Sequence, residues 1–477
     1  VETEDRRALR EGLLVAAVAA LVRGAVLVGV VREAVPAADG VYYHRLAARL
    51  AEGAGYTWLW PDGVVTHAAH YPVGYPFLLS LVYRVTGPLA AAGALLNLIL
   101  GVAGVAAVQA MTRRFAGRRA GLLAGLLAAL DPATVLYTPA LMTEGVTASL
   151  LAVAVWLVGV ASTEERRRGA WWAAAAGVLG LLVLIRPQCL LLVPLLGLLS
   201  PPSAREGGGS QGGEAPPPLP ARERGARGGE VALLLTLGAL LVCLPWTVRN
   251  CVRMDRCTLV SANGGWNLLI GAGPKATGHW APVDVPAECR EVFPEVAKDV
   301  CFGRAARRII REEPGRWLAL IPAKLGATFD YCGAGPWYLH EAAPGVFPWE
   351  RKVQAGALET VVRRLMLIGA LVALARGQGR VVGGGLGGVG VVLALTRGGW
   401  MAYVVLAALA GGRWARERGF FPAGALAGAL GTTLLVHAVF FGAGRYGLVV
   451  SPLIAACAGA LLTKTGPRRD TAAHAPD

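Results

Sequence analysis

Apolar runs of membrane-crossing length alternate along the chain with short basic connections, and that alternation predicts a bundle of transmembrane helices. The first run, Leu13 to Val31, follows Arg6, Arg7 and Arg10, which place the N-terminus in the cytoplasm and Asp39 outside. It is long and lacks a small-residue cleavage site before Asp39, so it reads as a retained anchor. A short helix, neither greasy enough to span nor polar enough to leave, follows Asp39, with the aromatic Tyr56 closing it. The outer loop to Pro76 carries Tyr56, Trp58, Trp60, His67, His70, Tyr71 and Tyr75, the composition of a membrane interface. The next span passes Asn97 and Met111 and ends inside on Arg113, Arg114, Arg118 and Arg119. A third leads out to Asp131-Pro132 and Glu144, and a fourth returns to Arg166-Arg167-Arg168. Trp171 to Ile185 exits again, Arg186-Pro187 turns the chain, and Leu190 to Leu199 comes back.

Ser200 to Glu230 breaks the pattern. It is rich in Pro, Gly and Ser with scattered Arg, cannot bury a core, and reads as a flexible cytoplasmic linker. Val231 to Trp246 exits, and Asn250 to about Arg316 forms the longest polar region, outside. Later spans fall near Thr360–Ala375, Val381–Thr396, Trp400–Gly411, Phe420–Phe441 and Leu448–Leu462, with Arg376, Arg380, Arg413, Arg416, Arg418, Lys464, Arg468 and Arg469 inside. Keeping those charges inside requires Trp317 to Phe329 to lie along the membrane or re-enter it. The pattern predicts about twelve or thirteen spans. The domain reading is an N-terminal transmembrane module (1–200), a linker (201–230) and one helix (231–249). An extracytoplasmic loop region with interfacial helices (250–354), C-terminal membrane helices (355–464) and a cytoplasmic tail (465–477) complete it.

Composition narrows this further. Of 477 residues, 55% are hydrophobic and only 16% charged, with mean hydropathy +0.51, which excludes an ordinary soluble protein. The net charge of +15 sits in the connections, a positive-inside pattern and not a nucleic-acid footprint. Ala, Gly, Leu and Arg dominate, favouring helices over a barrel and an all-α fold. Five of the eight cysteines (Cys251, Cys257, Cys289, Cys301, Cys332) fall in the outer region, where disulfides persist; Cys251 with Cys257 and Cys289 with Cys301 are candidate pairs.

The polar residues worth noticing collect on one face. Asp39 is a carboxylate at the edge of the bilayer, where an ionisable group reads either as functional or as a helix N-cap. Glu144 opens an apolar helix and is either its partner in acid/base chemistry or a first-turn acid favoured by the helix dipole. A separated carboxylate pair suits attack on an activated sugar. With His67 or His70 the pair can also bind a divalent cation, although interfacial hydrogen bonding explains both histidines. Arg249, and Arg445 beside Tyr446, can fork onto a phosphate or snorkel to head groups. Arg23 lies near mid-span in the first helix and must face the protein interior or a hydrated cavity. Asn263 and Lys275 belong to a Gly-rich stretch that is no Walker loop and reads as a cradle for sugar hydroxyls or phosphate, or as a turn-rich loop.

The ordered set runs from Arg23 and Asp39…Tyr43…Ala47…Gly53-Ala54-Gly55-Tyr56 through Tyr71-Pro72-Val73-Gly74-Tyr75-Pro76, Asn97, Asp131-Pro132, Leu141-Met142-Thr143-Glu144 and Arg186-Pro187. It continues through Pro245-Trp246-Thr247-Val248-Arg249-Asn250, Asn263-Gly264-Gly265, Pro314-Gly315…Lys324 and His437…Arg445-Tyr446. This order resembles the GT-C superfamily of integral membrane glycosyltransferases, in the branch with protein O-mannosyltransferase-like and aminoarabinose-transferase-like enzymes. The resemblance implies a GT-C-type helical bundle, a polyprenyl-phosphate sugar donor, transfer on the extracytoplasmic face, and Asp39 as the loop acid/base. Glu144 matches the acidic residue of the second outer loop, and Arg445 an Arg-Tyr pair near the last helices. The family often has Asp-Glu where this chain has Asp39-Gly40, and Gly447 stands where a second arginine commonly follows.

The expectation is therefore a transferase of the bacterial inner membrane that moves a single sugar to a lipid, glycan or protein acceptor, with inversion. Asp39 and Glu144 are its expected catalytic residues. Tyr43, His70, Tyr75, Arg249, Asn263, Lys275, Arg445 and Tyr446 are expected to bind substrate. No cofactor is fixed by the sequence beyond the divalent cation the carboxylates could hold, and no nucleic acid is expected. A transporter or flippase of lipid-linked sugars is the competing class; internal repeats and midplane binding residues would mark one, and neither is evident.

Overall fold

The computed structural model describes residues 2–30, 32–201, 221–330, 333–376, 378–396, 398–417 and 419–463. The chain is an all-α polytopic membrane protein with a single two-stranded ribbon among the described residues. Helix α1 (Glu2–Val30) leads to α2 (Gly40–Ala51), a hairpin of β1 (Thr57–Leu59) against β2 (Val65–His67), and α3 (Gly74–Thr86). Then come α4 (Ala90–Ala116), α5 (Arg118–Leu130), α6 (Pro132–Leu136), α7 (Thr143–Thr163), α8 (Arg168–Ile185) and α9 (Leu192–Leu198). After α10 (Ala221–Arg253) the chain forms α11 (Gly264–Ala272), α12 (Glu295–Glu312), α13 (Pro314–Ala319), α14 (Ile321–Phe329) and α15 (Ala334–Ala342). The chain closes with α16 (Trp349–Ala375), α17 (Gly385–Ala394), α18 (Trp400–Arg416), α19 (Phe421–Val439) and α20 (Ser451–Gly459). Pro132, Pro314, Pro422 and Pro452 each open a helix, where a missing N–H is harmless and a fixed φ helps.

Six described helices are long and apolar enough to cross a membrane: within α1, α4, α7, α8, α10 and α19. Shorter apolar helices run through 187–198, 382–394 and 446–462. Segments read as separate crossings are short: α5 has 13 residues, α9 has 7, and α17 has 10. At 1.5 Å per residue these rise only about 10–20 Å. A short helix inside the bundle needs a neighbour to meet the carbonyls at its end. Arg23 does so for α5, Nη1 donating to Ala129 O at 3.1 Å and Nη2 to Ala128 O at 3.4 Å and Thr134 Oγ1 at 3.1 Å. Trp317 to Phe329 forms two short helices, α13 and α14, and no crossing. The linker boundary shifts as well: α10 begins at Ala221, before residue 230, and 202–220 lie outside the described residues, as do Cys332 and the tail from 464.

Helix α7 is the axis of the bundle. It packs on α4 and α8, while α4 also packs on α1 and α5, and α20 lies against α5 and α16. Small residues allow this closeness, and most of α7 is buried. Charges sort to the ends. Glu11 meets Arg113 at 3.0 Å and Arg118 at 2.5 Å, and Arg114 meets Glu164 at 2.6 Å, so the start of α1 shares one end with the ends of α4 and α7. Asp39, Glu144, Arg186 and Arg445 meet at the opposite ends of the same helices. The segment between α10 and α16 carries the disulfides Cys251–Cys257 and Cys289–Cys301.

Candidate functional site

Four loops converge here because each follows or precedes a helix of the bundle. Asp39 ends the loop after α1, Glu144 lies in the first turn of α7, Arg186 follows α8, and Arg445 follows α19. Arg445 Nη2 lies 2.9 Å from Asp39 Oδ2, and its Nε lies 3.3 Å from Glu144 Oε1. Arg186 Nη1 lies 3.0 Å from the same Glu144 oxygen and donates to Thr143 Oγ1 at 3.2 Å. The Tyr137 hydroxyl donates to Glu144 Oε2 at 3.0 Å. With its amide oxygen turned toward Arg186, Gln188 accepts from Nε at 2.9 Å and Nη2 at 3.1 Å.

The two carboxylates are therefore unlike. The Glu144 side chain is 3% exposed and held by two guanidiniums and a phenol, whereas Asp39 is 32% exposed. Asp39 stands at the N-cap position of α2, but its side chain caps nothing. It accepts instead from the Tyr71 hydroxyl at 3.3 Å. Its neighbour Ala38 has φ 50°, a left-handed conformation that a non-glycine residue adopts only when surrounding structure holds it.

An aromatic wall rises beside Asp39. Tyr71 stacks on Tyr42 at 5.1 Å, and Tyr43 meets the edges of Tyr71 at 5.2 Å and Tyr75 at 5.8 Å. Burial, followed by the Asp39 charge, raises the Tyr43 and Tyr71 hydroxyls above the ordinary phenol value, so both remain protonated donors. On the other side Tyr446 stacks on His437 at 4.5 Å, with the Arg186 and Arg445 guanidiniums over its ring at 5.1 and 5.3 Å. Arg186, Gln188, His437 and Tyr446 line a cavity that continues between α7, α9 and α19 past Thr147, Thr432 and Thr433.

Other expected site residues sit elsewhere. Tyr75 is fully buried; its hydroxyl donates to Asn97 Oδ1 at 3.0 Å, and Asn97 Nδ2 donates to Thr138 O and Ala140 O, fixing the approach to Glu144. Arg249 is not brought to the carboxylates. Its Nη1 donates to Ala68 O at 2.7 Å, its Nη2 to Tyr56 O at 2.8 Å, and it stacks on Trp246 at 4.7 Å. Tyr56 itself lies in the loop beyond α2 instead of closing that helix. Lys275 is exposed and pairs with Asp284 at 2.8 Å, away from the cluster, because its loop turns outward after α11. Asn263 precedes α11, where its Oδ1 accepts from Ser261 Oγ at 3.1 Å. His70 packs edge-on to Tyr71 and Trp266, and burial pushes its imidazole below the usual value against the pull of Glu295, Asp299 and Asp39.

The donor set does not fit a divalent cation. Arg445 bridges the two carboxylates, and no three His, Cys, Asp or Glu residues gather among the described residues. Sequence reasoning missed Glu295, whose Oε2 accepts from Ala69 N at 2.6 Å and His70 N at 2.9 Å and whose Oε1 accepts from Trp58 Nε1 at 2.5 Å. It also missed Tyr137 and Tyr338. Tyr137, seven residues before Glu144, was within reach of a local reading; the other two arrive from distant helices.

Residues 70–206 match the family described as dolichyl-phosphate-mannose-protein mannosyltransferase. No curated protein matches. Among solved structures, the chain is similar to the oligosaccharyltransferase AglB from Archaeoglobus fulgidus in complex with an inhibitory peptide and a dolichol-phosphate. That likeness has 16% identity and TM-score 0.45, over 94% of this chain and 50% of that one. ArnT from Cupriavidus metallidurans is similar at 15% identity, covering 94% of this chain and 77% of that one, with TM-score 0.40 in the apo state and 0.37 bound to undecaprenyl phosphate. The chain spans about half the length of the archaeal oligosaccharyltransferase. The matched segment holds His70, Tyr75, Asp131, Glu144 and Arg186, so the resemblance expected from the motifs is borne out over that stretch of the chain.

Proposed function

We propose that the protein transfers a single sugar from a polyprenyl-phosphate donor to a hydroxyl or amine acceptor at the extracytoplasmic face of a membrane, with inversion. The observation that carries the reading is the Asp39–Arg445–Glu144–Arg186 chain, with one partly open carboxylate and one buried one. Asp39 takes the acceptor proton as the acceptor lone pair attacks the anomeric carbon. The bond from that carbon to the phosphate oxygen breaks with its electron pair, and polyprenyl phosphate departs. Arg445 offsets the charge developing on the phosphate, an electrostatic role. Glu144, held in its buried pairs, fixes both guanidiniums and does not exchange protons. Tyr42, Tyr43 and Tyr71 supply apolar faces and hydroxyls against which a sugar ring can lie.

The test is transfer from lipid-linked sugars extracted from membranes of cells that lack the protein. Asp39→Asn is expected to lower transfer at least about 10²-fold, the scale of a lost general base, while binding of undecaprenyl phosphate is retained. Transfer at the original rate would remove Asp39 from the mechanism. Accumulation of no lipid-linked sugar in the deletion strain would remove the donor class.

A further inference from the structure

The loop of Asp39 and the loop of Glu144 share a third element that belongs to neither. The Tyr338 side chain, 1% exposed on α15, places its phenol oxygen 3.3 Å from Ala37 N and 3.2 Å from Leu141 N. Ala37 is two residues before Asp39, and Leu141 three before Glu144. Both amides are buried and donate to this one oxygen, so each would be left unsatisfied without it. A backbone bond from Val35 N to Ala342 O at 3.0 Å ties the same loop to the end of α15.

Two further details show how closely the phenol is fitted. A Cβ added at Gly40 would lie 3.0 Å from the Tyr338 oxygen and 3.1 Å from Leu141 O, so the phenol occupies the space a side chain at position 40 would need. Between the tethered Ala37 and Asp39 stands Ala38 in its left-handed conformation. Such a conformation persists in a non-glycine residue only where its surroundings hold it.

We propose that Tyr338 is a positioning residue that sets the separation and orientation of Asp39 relative to Glu144 by accepting from both loops at once. It touches no reacting atom. Its effect on transfer rests on the reading of Asp39 and Glu144 given above, whereas its effect on the two loops does not.

Hydrogen exchange of the full-length protein in detergent tests the linkage. In Tyr338→Phe the ring stays and the acceptor goes, so the amides of Ala37 and Leu141 should lose protection together, each exchanging at least about tenfold faster. If only one of them, or neither, responds, the linkage is wrong. Transfer tests the consequence. Tyr338→Phe should lower kcat about ten- to a hundredfold, as expected for a misplaced catalytic group, with KM for the lipid-linked sugar extract and affinity for undecaprenyl phosphate within about twofold. A purely structural tyrosine would instead reduce the amount of folded protein and leave kcat per folded molecule intact, which would overturn the proposal.

Gly40→Ala supplies a reciprocal check. It should impair transfer in the wild-type background, where the new Cβ meets the phenol, and impair it less in Tyr338→Phe, where that contact is gone. Equal loss in both backgrounds would count against the fit. Paired loss of protection in a wild type that transfers nothing from the extract would uphold the linkage and remove the transferase reading.

Discussion

Arg445 Nη2 stands 2.9 Å from Asp39 Oδ2, joining the loop after the first long apolar helix to the loop after the last. The same guanidinium reaches Glu144 through Nε, so one planar cation holds two carboxylates in fixed relation. Burial opposes its charge, but Tyr446, Glu144 and Asp39 hold its proton affinity above the ordinary arginine value.

Arg445→Lys should therefore not be conservative. A lysine ammonium is a compact point charge and lacks the planar fork that spans the two carboxylates here. Transfer from the lipid-linked sugar extract should fall about 10²-fold or more, and affinity for undecaprenyl phosphate should weaken with it. Initial rates and lipid binding measured on the same preparation check this.

Glu144→Gln should destabilise the protein more than it alters any surface property. It leaves two buried guanidiniums without their shared anion, a loss of roughly 3–5 kcal/mol for a broken buried pair. Glu144→Gln with Arg186→Gln should be less damaged than the sum of the single variants. Half-lives of the folded protein at elevated temperature in detergent give the comparison, since unfolding of such proteins is seldom reversible.

Ser451 Oγ donates to Asp131 Oδ2 at 2.7 Å, while Asp131 Oδ1 accepts from Ala133 N at 3.2 Å and caps α6. Ser451→Ala should cost about 1 kcal/mol and Asp131→Ala about 2–3, because the latter removes a cap as well. The double variant should show a coupling of about 0.5–3 kcal/mol, as directly bonded pairs do. Thermal inactivation of the four proteins measures it.

Lys324 gives a pH signature. Its Nζ donates to Ala438 O at 3.3 Å and Val439 O at 3.2 Å at the end of α19, and burial pushes its ammonium down to about 8 from 10.5. Between those values the unfolded chain holds the proton and the folded one does not, so this residue's contribution to stability rises with pH across about pH 8 to 10.5. Below that window both states are charged and the burial penalty is fully present. Thermal midpoints at pH 7.5 and 9.5 should diverge between wild type and Lys324→Met; parallel shifts would show that Lys324 does not titrate there.

The apolar runs located α1, α4, α7, α8, α10 and α19, because length and hydropathy are local properties that the bilayer reads directly. A run such as Val381–Thr396 is as apolar, but the helix it forms, α17, is short. Asp39, Glu144 and Arg445 stood out one by one as ionisable groups beside such runs. Lys275 and Arg249 stood out equally well, for the same reason, and lie on other business.

What the sequence determined by itself is the class of the protein and where along the chain its long apolar helices lie. What only the tertiary structure decided is which of its polar residues meet. Arg445 lies between two carboxylates, Glu144 is sealed while Asp39 stays open, and Tyr338 holds both their loops. The physical reason is range: hydropathy acts residue by residue along the chain, whereas an ion pair or a shared phenol acts over about 3 Å between segments that only packing brings together.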